Sequence, residues 1–418
     1  MMLLAINGVQ SLRTKEADAS LYRLVDDPNA SASIRLQSAK ALGNIGTPAA
    51  IARAEQLLAP SPGHSVSPLR PILAIAMLGS DDSPRCIELL TQLSAHPISA
   101  VQAASLTRLI EIDPAKVDAL ADNLISSQDV NVRRICTRAM MHRPNEKRIA
   151  SISSLLDDIN PSLRREVAAE MLDWSKQPAL RDEIIAQTTR VLQQDSWQGC
   201  EQAIFILTKL NHKDAGDRFV DLLGHPRGEV KVASAWGLTK LADRQHLSAM
   251  LEHAQRVYQG FTSGTLNDNM PGASLQVAHL FNAFGDQMYA PAETVLRAYL
   301  PKIPELGVES RAAACWAMSR LFADQPPQEL IGQLTERFQD VDSEVPENEL
   351  FRAMCAVAFG RMKSKSLLPE LRKVSAGPSR FQQACLWAIE QMTGEEPPPI
   401  PLQTTYNDEW FLAPIRDK

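Results

Sequence analysis

The feature that most constrains this chain is a short helical frame that returns eleven times. The segment Ser33 to Gly46, SIRLQSAKALGNIG, overlays on ten later segments when anchored on Arg35 and its equivalents Arg70, Gln102, Arg133, Arg164, Cys200, Lys231, Gln276, Arg311, Arg352 and Gln382, which follow one another about every 35 residues. Seven residues after the anchor the side chain is apolar in every unit, from Leu42 and Met77 to Phe359 and Ile389. At about 100° per residue, the slots one before and three, seven and ten after the anchor fall within an arc of about 80°, the buried stripe of an amphipathic helix. Between these helices runs a second helical pattern, as in ALADNLISSQ (Ala119 to Gln128) and DRFVDLLGHP (Asp217 to Pro226). Each unit is therefore a helical hairpin. A chain of 418 residues is too long for one ordinary core, and one hairpin cannot bury its apolar face, whereas stacked hairpins share a continuous one. The predicted fold is all-α, a right-handed α-solenoid (superhelix) of about eleven hairpins.

The same frame divides the chain. Ala5-Ile6 and Val9 sit where Ala41-Leu42 and Ile45 sit one unit later, so residues 1–13 read as the inner helix of an incomplete repeat. Residues 14–395 form the array, and 396–418 a Pro-rich tail in which EEPPPIPL favours extended backbone over helix. A solenoid end needs a polar cap, so a preceding segment or a partner is expected to cover the start. Tyr406, Trp410 and Phe411 of the tail either cap the last hairpin or dock a partner.

IRLQSAKALGNIG (Ile34 to Gly46), FRAMCAVAFGRM (Phe351 to Met362) and the Asp129-Val130-Asn131-Val132-Arg133 entry to the fourth unit follow the pattern VRxxAAxALGxIG preceded by Asp. This pattern resembles the HEAT repeat in its short bacterial, phycobilin-lyase-like form (PBS lyase HEAT-like), over roughly residues 15 to 395. The resemblance implies an armadillo-like helical array that serves mainly as a binding surface and only occasionally as an enzyme. The units anchored at Cys200, Gln276 and Gln382 lack the family's Arg, which predicts gaps in its polar ladder.

Five residues after the anchor the angle is about 140°, nearly opposite the buried stripe. Phe205, Trp236, Phe281, Trp316 and Trp387 occupy this slot in five of the last six units, in a chain only 5% aromatic. Each ring offers roughly 150–250 Å². Half exposed, the five would approach the 300–600 Å² of the largest patch on an ordinary monomer, a surface usually covered by something. The plainer alternative is that tight stacking buries these rings against the next inner helix. NVRRICTRAMMHR (Asn131 to Arg143) and LRREVAAEM (Leu163 to Met171) add Arg134, Arg138 and Arg165 on the same side, suited to a carboxylate- or phosphate-bearing partner. With Glu166 and Glu170 nearby, a solvated mixed-charge face is the alternative.

Signals for catalysis are sparse. Six cysteines lie far apart without CxxC; Cys136, Cys355, Cys385 and Cys315 fall in small core slots, so buried, reduced thiols are expected. No HExxH, Gly-rich phosphate loop or triad is present, nor the His-Glu pairs that bind iron in the HEAT-like deoxyhypusine hydroxylases. Neither cofactor nor metal is expected. His279 intrudes into a small-residue slot, as a packing adjustment or a pH- or ligand-responsive group. GFTSGTLNDNMPG (Gly260 to Gly272) reads as an inserted binding loop without the spaced acids of a calcium site. Asp340, Asp342, Glu344, Glu347 and Glu349 read as a solvated acidic run.

The opening MMLLAINGVQSLR lacks a basic n-region and a cleavage site, and no apolar run approaches about 18 residues, so a soluble cytoplasmic protein is expected. A net charge of −6 gives no uniform basicity for duplex nucleic acid. The expected function is a non-catalytic scaffold gripping a protein or peptide on its concave surface. The rivals are a phycobilin-lyase-like or other small-molecule enzyme, whose flat ligand an aromatic groove would hold, and a nucleic-acid glycosylase-like HEAT protein, which the acidic balance disfavours.

Overall fold

Anchor-bearing segments and the patterns between them fold as alternating α-helices in a computed structural model, which describes residues 2–12, 15–59, 68–79, 81–265, 272–323, 325–377 and 379–398. The described residues hold no strand. Their α-helices run in chain order α1 (Met2–Leu12), α2 (Asp18–Asp26), α3 (Ala32–Ile45), α4 (Pro48–Leu58), α5 (Leu69–Leu78), α6 (Pro84–Leu93), α7 (Ser99–Ile112), α8 (Pro114–Leu124), α9 (Val130–Met141), α10 (Glu146–Ser153), α11 (Pro161–Trp174) and α12 (Pro178–Leu192). They continue with α13 (Trp197–Lys209), α14 (Gly216–Leu222), α15 (Gly228–Leu241), α16 (Leu247–Thr262), α17 (Ala273–Asp286), α18 (Glu293–Ala298), α19 (Val308–Leu321), α20 (Gln328–Gln339), α21 (Glu349–Arg361), α22 (Leu368–Val374) and α23 (Arg380–Thr393). Every anchor falls on an odd-numbered helix, α3 to α23. The chain divides into two compact units, one up to Ile152 and one from Ser153. Within each unit successive odd helices pack on one another, α3 on α5 in the first and α17 on α19 and α19 on α21 in the second, with the even helices alongside.

Local chemistry sets the helix ends. Ser31, Thr47, Ser83, Asp113, Asp129, Asn160, Asn348 and Ser379 each accept backbone N–H groups at a helix start, which offsets orphaned donors there. Proline opens α4, α6, α8, α11 and α12, where its missing N–H costs nothing. The slot seven after the anchor is buried in all eleven units: Leu42, Met77, Leu109, Met140, Met171, Leu207, Leu238, Ala283, Met318, Phe359 and Ile389. A fully buried Leu or Met contributes about 1.5–3 kcal/mol, so this slot alone stitches each hairpin to the shared core.

The anchor side chain clamps the end of an even helix. Arg35 Nε donates to the Val25 carbonyl at 2.8 Å, Arg164 Nη1 to Asp158 at 2.7 Å, Arg311 Nε to Pro301 at 2.8 Å and Arg352 Nε to Phe338 at 2.9 Å. Arg133 Nη1 reaches both Ser127 and Gln128, at 2.8 and 3.1 Å. The predicted gaps are smaller than the sequence implied. Cys200 Sγ donates to the Gln194 carbonyl at 3.2 Å, and Gln276 Nε2 to Leu223 at 2.8 Å. Gln276 thus serves α14, because α16 is extended to 16 residues and runs on past its usual stop. Gln382 turns instead to its own helix start, in a reciprocal capping box with Ser379.

Two sequence expectations need correction. Gly260, Phe261 and Thr262 are not loop but the last turn of α16; residues 266–271 of that insertion lie outside the described residues, as do Tyr406, Trp410 and Phe411 of the tail. The acidic run is not uniformly solvated either. Glu347 is buried and accepts both Arg311 Nη groups, at 2.9 and 2.6 Å, while the Arg311 guanidinium also lies 4.4 Å from the Phe351 ring centroid. Asp340 pairs with Lys302 at 2.9 Å and with Arg337 at 3.1 Å. The insertion that carries these acids returns Glu347 to an anchor arginine and pairs its buried charge.

Candidate functional site

The ring slot lies in the seam between successive odd helices rather than on an open wall. Trp236 and Phe281 are only 2% and 0% exposed, which removes both from the predicted gripping surface. Trp236 stacks on Phe205 with centroids 5.9 Å apart and planes at 25°, and Phe281 meets Tyr299 edge-on at 4.8 Å. Phe205, Trp316 and Trp387 are half-buried. The two half-buried tryptophans seat on glycines of the preceding odd helix. A Cβ at Gly285 of α17 would lie 2.5 Å from Trp316 Cζ3 and 2.9 Å from Ala317 Cα. At Gly360 of α21 it would lie 2.7 Å from Ala388 Cα and 3.0 Å from Trp387 Cζ3. The angular argument placed slot five opposite the stripe of its own hairpin, but the alternative, burial against the neighbouring inner helix, is what holds at Trp236 and Phe281 and in part at Trp316 and Trp387.

The predicted arginine patch divides between the units. Arg134, half-buried, and Arg138, exposed, lie on α9 in the first unit; Arg165, exposed, lies on α11 in the second, where its Nε donates to the Pro161 carbonyl of its own helix at 3.2 Å.

A different set of cations lies one turn from the rings, three of them over a ring face. One turn beyond the ring slot, nine residues after the anchor, come Lys209 on α13, Lys240 on α15, Arg320 on α19 and Arg361 on α21. Lys209 Nζ lies over the Phe205 ring at 5.7 Å. The Arg320 and Arg361 guanidiniums both lie over the Trp316 ring, at 5.8 and 5.4 Å, within the range of cation–π attraction. Arg361 Nη1 donates to Ser319 Oγ at 3.0 Å. Arg320 Nε is enclosed without a hydrogen-bond partner. Lys240 and Lys209 are exposed. Asp286 on α17 is the acid whose field these cations share. Its side chain is exposed, yet the surrounding protein withholds enough solvent to push its carboxyl up, against the pull of Arg320, Lys240 and Arg361. Burial and the charge of Arg320 hold the Arg361 guanidinium below its ordinary value. This row was not among the predicted site residues, although the sequence carries its signal: a basic residue in the slot nine after the anchor in four of the last six units.

Groups that would point to catalysis are packed away. All six cysteines are buried, and burial pushes Cys86 up to about 11 and Cys136 and Cys385 up to about 12, far from a reactive thiolate. His279 is buried with Nε2 unpartnered, and burial, followed by the charge of Lys240, lowers it to about 3; it is a neutral core group, not a ligand-facing one. Among the described residues no three His, Cys, Asp or Glu side chains group as metal ligands. A cavity of about 270 Å³ in the first unit is lined by Asp113, Asp118, Ala139, His142 and Arg143, but Asp118 already pairs with Arg148 at 2.8 Å. No helix among the described residues is long and apolar enough to cross a membrane.

Comparison with known proteins supports the repeat. The family described as PBS lyase HEAT-like repeat matches residues 34–53, the unit anchored at Arg35. No curated protein matches the chain at a significant level. Among solved structures, the fold is similar to that of Kap95p, the yeast importin-β, described with RanGDP, with 14% identity over 89% of this chain and 56% of that one and a TM-score of 0.53. It is also similar to that of a Kap121p mutant, with 11% identity over 91% of this chain and 46% of that one and a TM-score of 0.53. The chain spans about half the length of these two proteins, and at such identities the likeness is one of fold alone.

Proposed function

We propose that this array of HEAT-like repeats is a non-catalytic scaffold that binds a protein or peptide across the odd-helix face of its second unit. The observation that carries the reading is the row of half-buried rings, Phe205, Trp316 and Trp387, with Lys209, Arg320 and Arg361 over two of them and exposed Lys240 in the same slot of its helix. Such mixed aromatic and arginine surfaces are typical anchors of protein recognition. The repeat match carries no lyase activity with it, since a single repeat is the structural unit and not a site. Solved structures of the same fold include Kap95p described with RanGDP, a protein-binding use of stacked helical hairpins.

The test is affinity capture from cells that encode the protein, using the whole chain and a Lys240→Glu/Arg361→Glu variant whose circular dichroism is unchanged. Proteins retained by the natural chain and lost by the variant are the expected result. Identical retention by both, or none by either, contradicts the reading.

A further inference from the structure

We propose that the partner segment is acidic, a stretch of polypeptide whose carboxylates are held by Lys240, Arg320 and Arg361. This rests on the reading that the odd-helix face is where a partner binds. The fields of these three cations meet on the carboxylate of Asp286 on α17, three positive charges around that one acid. Two like charges, Arg320 and Arg361, are gathered over a single indole, and the charge of Arg320 weighs on Arg361. Repulsion between them is tolerated because the ring face attracts both, and it is relieved when a carboxylate bridges them. The planar guanidinium fork is suited to that bidentate role, and burial strengthens the charge-assisted bonds. Arg320 Nε is enclosed and without an acceptor, so this guanidinium depends on its outer nitrogens for a carboxylate partner.

Carboxylates of a protein fit better than the phosphates of a nucleic acid. Single-stranded nucleic acid binds by stacking its bases on open aromatic faces. Here guanidiniums already lie over Trp316, and Trp236 and Phe281 are buried. The cations are also interrupted by Asp286, in a chain whose net charge is −6, which is not the continuous basicity that a phosphate backbone requires.

The experiment is fluorescence anisotropy of the full chain with three labelled peptides of equal length, alternating Glu and Gly, Ser and Gly, or Lys and Gly, and with an oligothymidylate. The Glu peptide should bind, and should weaken as salt screens the charges. The Arg320→Gln/Arg361→Gln variant should weaken it by about tenfold or more, the worth of hydrogen bonds to charged groups, while Lys373→Gln, at an exposed position of the even helix α22, leaves it unchanged. Should the double variant fail to fold, Lys240→Gln, at an exposed position, supplies the same test with a loss of about threefold, the size of an exposed pair. Preference for the Ser or Lys peptide, with binding still sensitive to these variants, overturns the acidic partner but leaves the scaffold reading standing. Preference for the oligonucleotide through the same residues overturns the protein partner. Binding of the Glu peptide that ignores the variants removes the assigned site, and no binding by any peptide removes both the inference and the reading beneath it.

Discussion

Inside a helix a glycine ordinarily costs about 1 kcal/mol relative to alanine, yet α17 and α21 each carry one where a tryptophan of the next odd helix arrives. The glycine is the receiving half of the ring slot: without its bare Cα, Trp316 and the backbone at Ala317 could not approach so closely. Helix propensity alone predicts that Gly285→Ala stabilises the protein. Packing predicts the opposite, since the new methyl would meet Trp316 and Ala317 at 2.5 and 2.9 Å, and overpacking typically costs about 1–3 kcal/mol. Urea unfolding of Gly285→Ala should show a net loss of stability, and a gain would mean that the ring is loosely held. The same pairing shows what could be read in advance. The return of tryptophan was visible in the sequence as periodicity; its burial was not, because that depends on a glycine about 30 residues earlier, on a different helix.

Most odd helices reach sideways to close an even one. The anchor donates to carbonyls at or just beyond the C-terminus of an even helix, and this explains why Arg, Gln and even Cys can hold the position: each is a donor. The reading of a broken ladder failed at Cys200 and Gln276 because it counted charge, whereas the site requires a hydrogen. Gln276→Met keeps the size of the side chain and removes its buried bond to the Leu223 carbonyl. A loss of about 1–3 kcal/mol is expected, seen as a lower urea midpoint at unchanged slope; no shift in midpoint would show that water replaces the amide freely. Hairpin count, helix order and the buried seventh slot were legible because they repeat within a few turns of one helix. The cation row was legible only in principle, since slot nine acquires meaning once slot five is known to lie in a seam and the exposed ground moves one turn onward.

Across the whole molecule, the buried histidines tie stability to pH. Burial lowers His253 to about 4 and His279 to about 3, so both are neutral in the folded protein while the unfolded chain takes up protons near the ordinary value of 6.5. Their contribution is therefore complete above pH 6.5 and is lost as the pH falls towards the folded values, at roughly 1 kcal/mol per histidine per pH unit. Glu201 and Asp286, both raised by burial, take up protons in the folded protein before the unfolded chain does, and so oppose part of this loss at and above the usual carboxylate range. Unfolding free energy should thus fall between pH 6.5 and 5, less steeply in His279→Gln; equal slopes would contradict the neutral core histidine. The account as a whole rests on a partner occupying the odd-helix face of the second unit. Lysine acetylation of the unmodified chain, read by mass spectrometry with and without the alternating Glu and Gly peptide, tests this most directly. The peptide should slow modification of exposed Lys240 and leave exposed Lys373, on the even helix α22, unchanged. Protection of Lys373 with Lys240 unaffected would place the partner on the other layer and contradict the account.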